Sequence, residues 1–170
     1  MPLDRDNDLV QVDGQSALGT LVELHGRILD ARGEPLKQAL VEIWQVDADG
    51  IYLHSRSGSR QRRDAGFQGY GRFETASSGE YRFRTIRPVA YSSRTPHIHV
   101  AVTLPGQPRF TTQCYIRGEP RNADDFVLNG VADARARELL QVDFLPGANG
   151  EQLARFDIVL GLTPSDNAPS

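Results

Sequence analysis

Two histidines one residue apart, His97 and His99, open an apolar alternating run, Val100-Ala101-Val102. On a β-strand, residues i and i+2 point to the same face, so the two imidazoles stand side by side. Neutral imidazole is the commonest protein ligand for transition metals, which makes the pair the start of a metal site. Pro96 sits just before it, where a strand can begin without needing an N–H. Tyr91 and Arg94 lie close upstream, and Tyr52 follows the turn Asp47-Ala48-Asp49-Gly50. Phenolate is a hard anionic donor, and a trivalent iron can displace its proton although free tyrosine has a pKa of about 10. Two phenolates and two neutral imidazoles would offset two of the three charges on Fe(III). Cys114 is the single cysteine, so a cysteine cluster or an internal disulfide is excluded and any metal must take nitrogen and oxygen ligands.

The elements that must position these residues read as strands. Leu21–Leu29 alternates apolar and polar residues, and Ala39–Val46 forms a second run ending near the only tryptophan, Trp44. Residues 73–75 and 80–86 read as a hairpin about Ser77-Ser78-Gly79. The His97 strand runs to Pro105-Gly106, followed by Phe110–Ile116 and, near the end, Leu153–Leu160. One short helix is predicted over 132–141, with Asp133 near its start, where an acidic side chain suits the helix dipole. Turn signals between closely spaced strands predict an all-β fold, an antiparallel β-sandwich. The expected organisation is an N-terminal arm over 1–20, a catalytic sandwich over 21–162 and a flexible tail over 163–170.

The chain has 170 residues, enough for one domain with a real core, and a formal net charge of −3. That charge offers no basic field for nucleic acid or an anionic membrane, and no apolar run is long enough for a membrane-spanning helix. The first fourteen residues lack the basic-then-apolar layout of a secretory signal, so a cytoplasmic location is expected.

Several segments, in order, resemble the intradiol ring-cleavage dioxygenases, the group of protocatechuate 3,4-dioxygenase and catechol 1,2-dioxygenase. They are L-H-G-R-I-L-D-A-R-G-E-P-L-K-Q-A-L-V-E-I-W-Q-V-D-A-D-G-I-Y from Leu24 to Tyr52, G-E-Y-R-F-R-T-I-R-P from Gly79 to Pro88, Tyr91 and Arg94 with T-P-H-I-H-V, T-T-Q-C-Y-I from Thr111 to Ile116, and the final R-F-D-I-V-L. The resemblance implies non-haem Fe(III) held by Tyr52, Tyr91, His97 and His99, with Tyr91 and His99 axial. It also implies Arg94 and Gln113 as active-site residues beside Tyr91. Its substrates are a small catechol and O2, and its products are cis,cis-muconate-type dicarboxylic acids from cleavage between the two hydroxylated carbons. A homo-oligomer or a partner subunit fits such a chain.

Only five residues separate Tyr91 from His97, where family members often carry a longer loop that walls the substrate. The chain also lacks the long N-terminal helical region of the catechol 1,2-dioxygenases. Two competing readings use the same residues. Gly26–Val46 also resembles the prealbumin-type repeat of non-catalytic binding modules, and His54 with His97 and His99 would suit a Zn(II) hydrolase. Of the remaining histidines, His25 falls in the Leu21–Leu29 strand and His54 otherwise reads as a surface residue. Arg56, Arg60, Arg62 and Arg63 read as a solvated loop, one of whose arginines could meet an anionic group on the substrate. Cys114, adjacent to Gln113 on its strand, faces the other way and reads as core.

Overall fold

Two sheets share one hydrophobic core in the computed structural model, which describes residues 5–51 and 64–166. Across the first sheet the order is β1 (Arg5–Asp6), β6 (Tyr70–Glu74), β5 (Leu40–Trp44), β8 (His97–Thr103), β9 (Phe110–Ile116) and β10 (Gln141–Val142). The second is built on β4 (Leu21–Leu29), with β7 (Glu80–Ile86) on one side and β12 (Gln152–Arg155) then β11 (Phe144–Pro146) on the other. β13 (Ile158–Val159) pairs with the far end of β4, and β2 (Gln11–Val12) forms a small hairpin with β3 (Gln15–Ser16).

Period-two alternation builds the core. Val22, Leu24 and Ile28 of β4 face Val41 and Ile43 of β5, Phe73 of β6, Tyr81 and Phe83 of β7, Ile98, Val100 and Val102 of β8, and Cys114 of β9 in one buried cluster. β8 departs from the half-buried pattern, because both of its faces are buried from His97 to Val102. Its core face is aliphatic. Its other face, carrying His97, His99 and Ala101, is therefore covered by something other than the second sheet.

Four expectations change in detail. Residues 73–75 and 80–86 do not form a hairpin: β6 belongs to the first sheet and β7 to the second. The connection crosses the core because each strand has an apolar face to bury, with the Phe73 and Phe83 rings meeting edge-on at 6.4 Å. The sandwich is not wholly antiparallel, since β12 and β13 run parallel to β4 and β10 runs parallel to β9. The helix shrinks to α1 (Ala134–Glu138), capped by the Asp133 side chain on the Arg135 N–H. It stops because Leu140 is drawn into the core and its carbonyl accepts the Tyr115 N–H, starting the β9–β10 pairing. The final strand is split at Phe156-Asp157, where the Phe156 carbonyl accepts the buried Tyr81 hydroxyl and the Asp157 carboxylate accepts the Arg27 N–H.

The segments before and after the sandwich also pack. Leu9 and Val10 are buried, and the Leu9 N–H donates to the Arg84 carbonyl. Beyond β13, Thr163 is buried, and the Asp166 N–H donates to the Thr111 carbonyl at 3.1 Å.

Gly26 marks the tightest approach in the second sheet. A Cβ there would lie 2.1 Å from the Phe156 carbonyl oxygen and 2.9 Å from the Tyr81 ring. Neither backbone nor a buried ring can yield, so Gly26→Ala should cost about 3 kcal/mol or more, read from the shift in denaturant midpoint.

Candidate metal centre

The outer face of β8 is built by register. β8 and β9 pair antiparallel with His97 opposite Tyr115 and His99 opposite Gln113, so these four side chains share one face. β5 places Trp44 directly opposite His99 on the other side. The indole stacks on the His99 ring with centroids 5.1 Å apart and planes within 1°, and the Arg109 guanidinium covers the indole 5.0 Å from its centroid. The plane of His99 is thus set by a stacked ring that is itself clamped.

His97 is only 2% exposed and His99 4%. Burial, the largest influence on each, pushes their pKa values down to about 4 and about 3, so both rings are neutral at ordinary pH. The His97 Nδ1 lies 2.7 Å from the Thr95 carbonyl oxygen. A carbonyl only accepts, so the Nδ1 carries the proton and the Nε2 presents its lone pair. That Nε2 lies 3.2 Å from the Nε2 of His99. Two nitrogens so spaced can both lie about 2.1 Å from one ion, the usual metal–imidazole distance. The backbone carbonyl behind His97 is the kind of partner that orients metal-ligating histidines. The residues present therefore fit a metal ion.

Tyr91 reaches the same place through a tight turn. The Arg94 N–H donates to the Tyr91 carbonyl at 2.9 Å, with Ser92 at φ 52° in the turn. The Tyr91 ring lies 5.6 Å from that of His97, centroid to centroid. Tyr52 lies outside the described residues, as do His54 and the four arginines between 56 and 63. The chain on either side of that stretch is nevertheless anchored. The buried Asp47 carboxylate accepts N–H groups from Ile51 at 3.0 Å and from Asp64 at 2.8 Å. A Cβ at Gly50 would come within 3.3 Å of the Tyr91 Cβ, so the backbone two residues before Tyr52 abuts Tyr91.

A polar chain runs beside the imidazoles. The Arg94 Nε donates to the Asp125 Oδ2 at 2.9 Å, and its Nη2 donates to the Gln113 Oε1 and to the Tyr115 hydroxyl. The Tyr115 hydroxyl donates to the same Gln113 oxygen at 2.9 Å, while the Gln113 Nε2 donates to the Asp166 carboxylate at 3.0 Å. Burial, then the Asp125 charge, pushes the Tyr115 phenol well above its ordinary range, so it stays a neutral donor. Burial alone would raise the Asp125 carboxyl, but Arg94 and the Leu128 and Thr95 amides outweigh it and hold the group below the usual carboxylate range. Arg94 is correspondingly a permanent cation.

Tyr91, Arg94, His97, His99 and Gln113, separated in sequence, are thus brought together, with a fixed cation beside neutral imidazoles and a phenol. Sequence reasoning missed Tyr115, Trp44, Asp125 and Asp166 as members of the site. Tyr115 had a usable signal, since it stands two residues from Gln113 on a strand. Cys114, between them, is buried in the core, and burial pushes its thiol well up in pKa.

The family model described as Dioxygenase matches residues 2–161. The protocatechuate 3,4-dioxygenase beta chain of Burkholderia cepacia is 36% identical over 94% of this chain and 72% of its own length. The catechol 1,2-dioxygenase of Acinetobacter baylyi is 32% identical over 86% of this chain, which spans only 50% of that protein. Among solved structures, the dioxygenase domain of a dioxygenase–carbohydrate-binding protein fusion from Streptomyces sp. SirexAA-E superposes with a TM-score of 0.69 and 31% identity, covering 91% of this chain and 89% of that one. The mercury-inhibited catechol 1,2-dioxygenase of Acinetobacter sp. ADP1 gives a TM-score of 0.72 at 27% identity, covering 96% of this chain and 60% of that one.

Proposed function

This chain belongs to the intradiol dioxygenase family, and we propose that it cleaves catechol-type aromatic diols with O2 between the two hydroxylated carbons, using a non-haem ferric ion. The observation that carries the reading is the convergence of the His97 and His99 Nε2 atoms on one buried point, with the His97 tautomer fixed and Tyr91 alongside. His97, His99 and Tyr91 would hold the ion, with Tyr52 expected as the second phenolate. A ferric ion held there would supply an electron-withdrawing centre that the diol could chelate as a dianion, which would open the ring to O2.

The rest is work for the chain's own residues. Two phenolates and two neutral imidazoles would offset two of the three ferric charges, and once Tyr91 is protonated the remaining phenolate and a diol dianion would offset all three. The Tyr91 phenolate is the base placed to take one of the two diol protons, and hydroxide from solvent takes the other. Arg94 holds a cation beside the ring, where negative charge develops, and its pairing with Asp125 fixes it there before substrate arrives. Gln113 and Tyr115 hold the far side of that guanidinium.

Oxygen uptake by the iron-loaded protein on catechol, with the product identified, tests this. One O2 consumed per catechol and a cis,cis-muconate product are expected. A semialdehyde from cleavage beside the diol, or no ring opening across a panel of substituted catechols, would reject it.

A further inference from the structure

Asp125 is fully buried and lies on the turn between the 3₁₀ segments Pro120–Asp124 and Leu128–Gly130. No reading of the sequence singled it out, yet its two oxygens reach both functional groups of the site. One oxygen accepts the Arg94 Nε at 2.9 Å and the Thr95 N–H at 3.0 Å. The other accepts the Val127 and Leu128 N–H groups at 3.1 and 3.0 Å, which fixes the carboxylate itself, and stands 3.4 Å from the Arg94 Nη2. Thr95 is the residue whose carbonyl holds the His97 Nδ1 proton, and its hydroxyl donates to the buried Asn122 at 2.7 Å. A single carboxylate therefore grips the catalytic cation by its side chain and the metal ligand through one intervening residue.

We infer that Asp125 is the positioning residue of this centre, setting Arg94 through an ion pair and His97 through the Thr95 backbone. The inference rests on the dioxygenase reading above and assigns Asp125 two separable effects. Through Arg94 it governs the rate of ring opening. Through Thr95 it governs how well the His97 Nε2 lone pair is aimed, and hence metal affinity. Arg94 is the cation paired with Asp125 and Asp166 lies beyond Gln113, and neither replaces the contact of Asp125 with Thr95.

The test is a double-mutant cycle with Asp125→Asn, which keeps shape and removes charge, in wild-type and Arg94→Leu backgrounds. Two readouts are taken: kcat per bound iron on catechol, and ferric affinity by competition with a chelator. Asp125→Asn should lower kcat per iron by roughly 10- to 100-fold with a much smaller change in KM, and should weaken iron binding by a similar factor. In the Arg94→Leu background its effect on kcat should nearly vanish, because the cation it positions is gone, while its effect on iron affinity should persist. A residue that merely stabilises the fold would lower iron occupancy without changing kcat per iron. Equal kcat losses in both backgrounds, or unchanged iron affinity in both, overturn the inference. If Asp125→Asn does not fold, Asp125→Glu, which keeps the charge but displaces the carboxylate, carries the same cycle. Catechol cleavage by the wild-type protein is measured first. Its absence defeats the function as well, whereas cleavage with an additive cycle defeats only the role of Asp125.

Discussion

Arg94→Leu should lower kcat/KM on catechol by roughly 10²- to 10³-fold, the usual cost of losing a fixed charge aimed at a developing anion. The same change should destabilise the protein by about 3–5 kcal/mol, because it strands the buried Asp125 carboxylate without its cation. These two consequences separate in the double variant. Adding Asp125→Asn removes the stranded charge, so Arg94→Leu/Asp125→Asn should be more stable than Arg94→Leu alone in a denaturant titration. Activity should not return with stability. Recovery of both together would mean that Arg94 is a structural ion-pair partner and nothing more.

His99→Ala should abolish ferric binding and reduce catechol turnover to background, while the sandwich survives. His99 faces away from the aliphatic core, so its loss opens no cavity between the sheets. It should also change how the metal-free protein responds to acid. In the unfolded chain both imidazoles take up protons as pH falls through about 6.5, whereas in the folded chain burial delays His97 to about 4 and His99 to about 3. Between those limits the unfolded state binds more protons, so metal-free stability falls with decreasing pH, by up to about 1.4 kcal/mol per pH unit for each histidine, and levels off below the folded values. Removing His99 should roughly halve that slope. An unchanged slope would show that the His99 ring is not held neutral by burial.

Much of this site can be read before any coordinates, because β8 carries its signal locally. His97 and His99 announce a shared face through strand periodicity, and the aliphatic residues between and after them announce the core face. The split of β6 and β7 between sheets could not be read, since a five-residue link suits a hairpin as well as a crossing of the core. Asp125 was hidden for a different reason. It lies 31 residues from Arg94, in a turn with no periodicity, and only tertiary contact gives it meaning. Gln113 was legible as a polar strand residue, but its partners were not: Asp166 reaches its amide nitrogen from 53 residues away.

Convergence of Tyr91 and the two imidazoles on one ferric ion can be read in a spectroscopic titration. Ferric iron added to the metal-free protein should produce a visible tyrosinate charge-transfer band that saturates at one equivalent, and the band should shift and weaken in Tyr91→Phe. A colourless protein with iron bound at one equivalent, or a band identical in Tyr91→Phe, would exclude Tyr91 as a ligand.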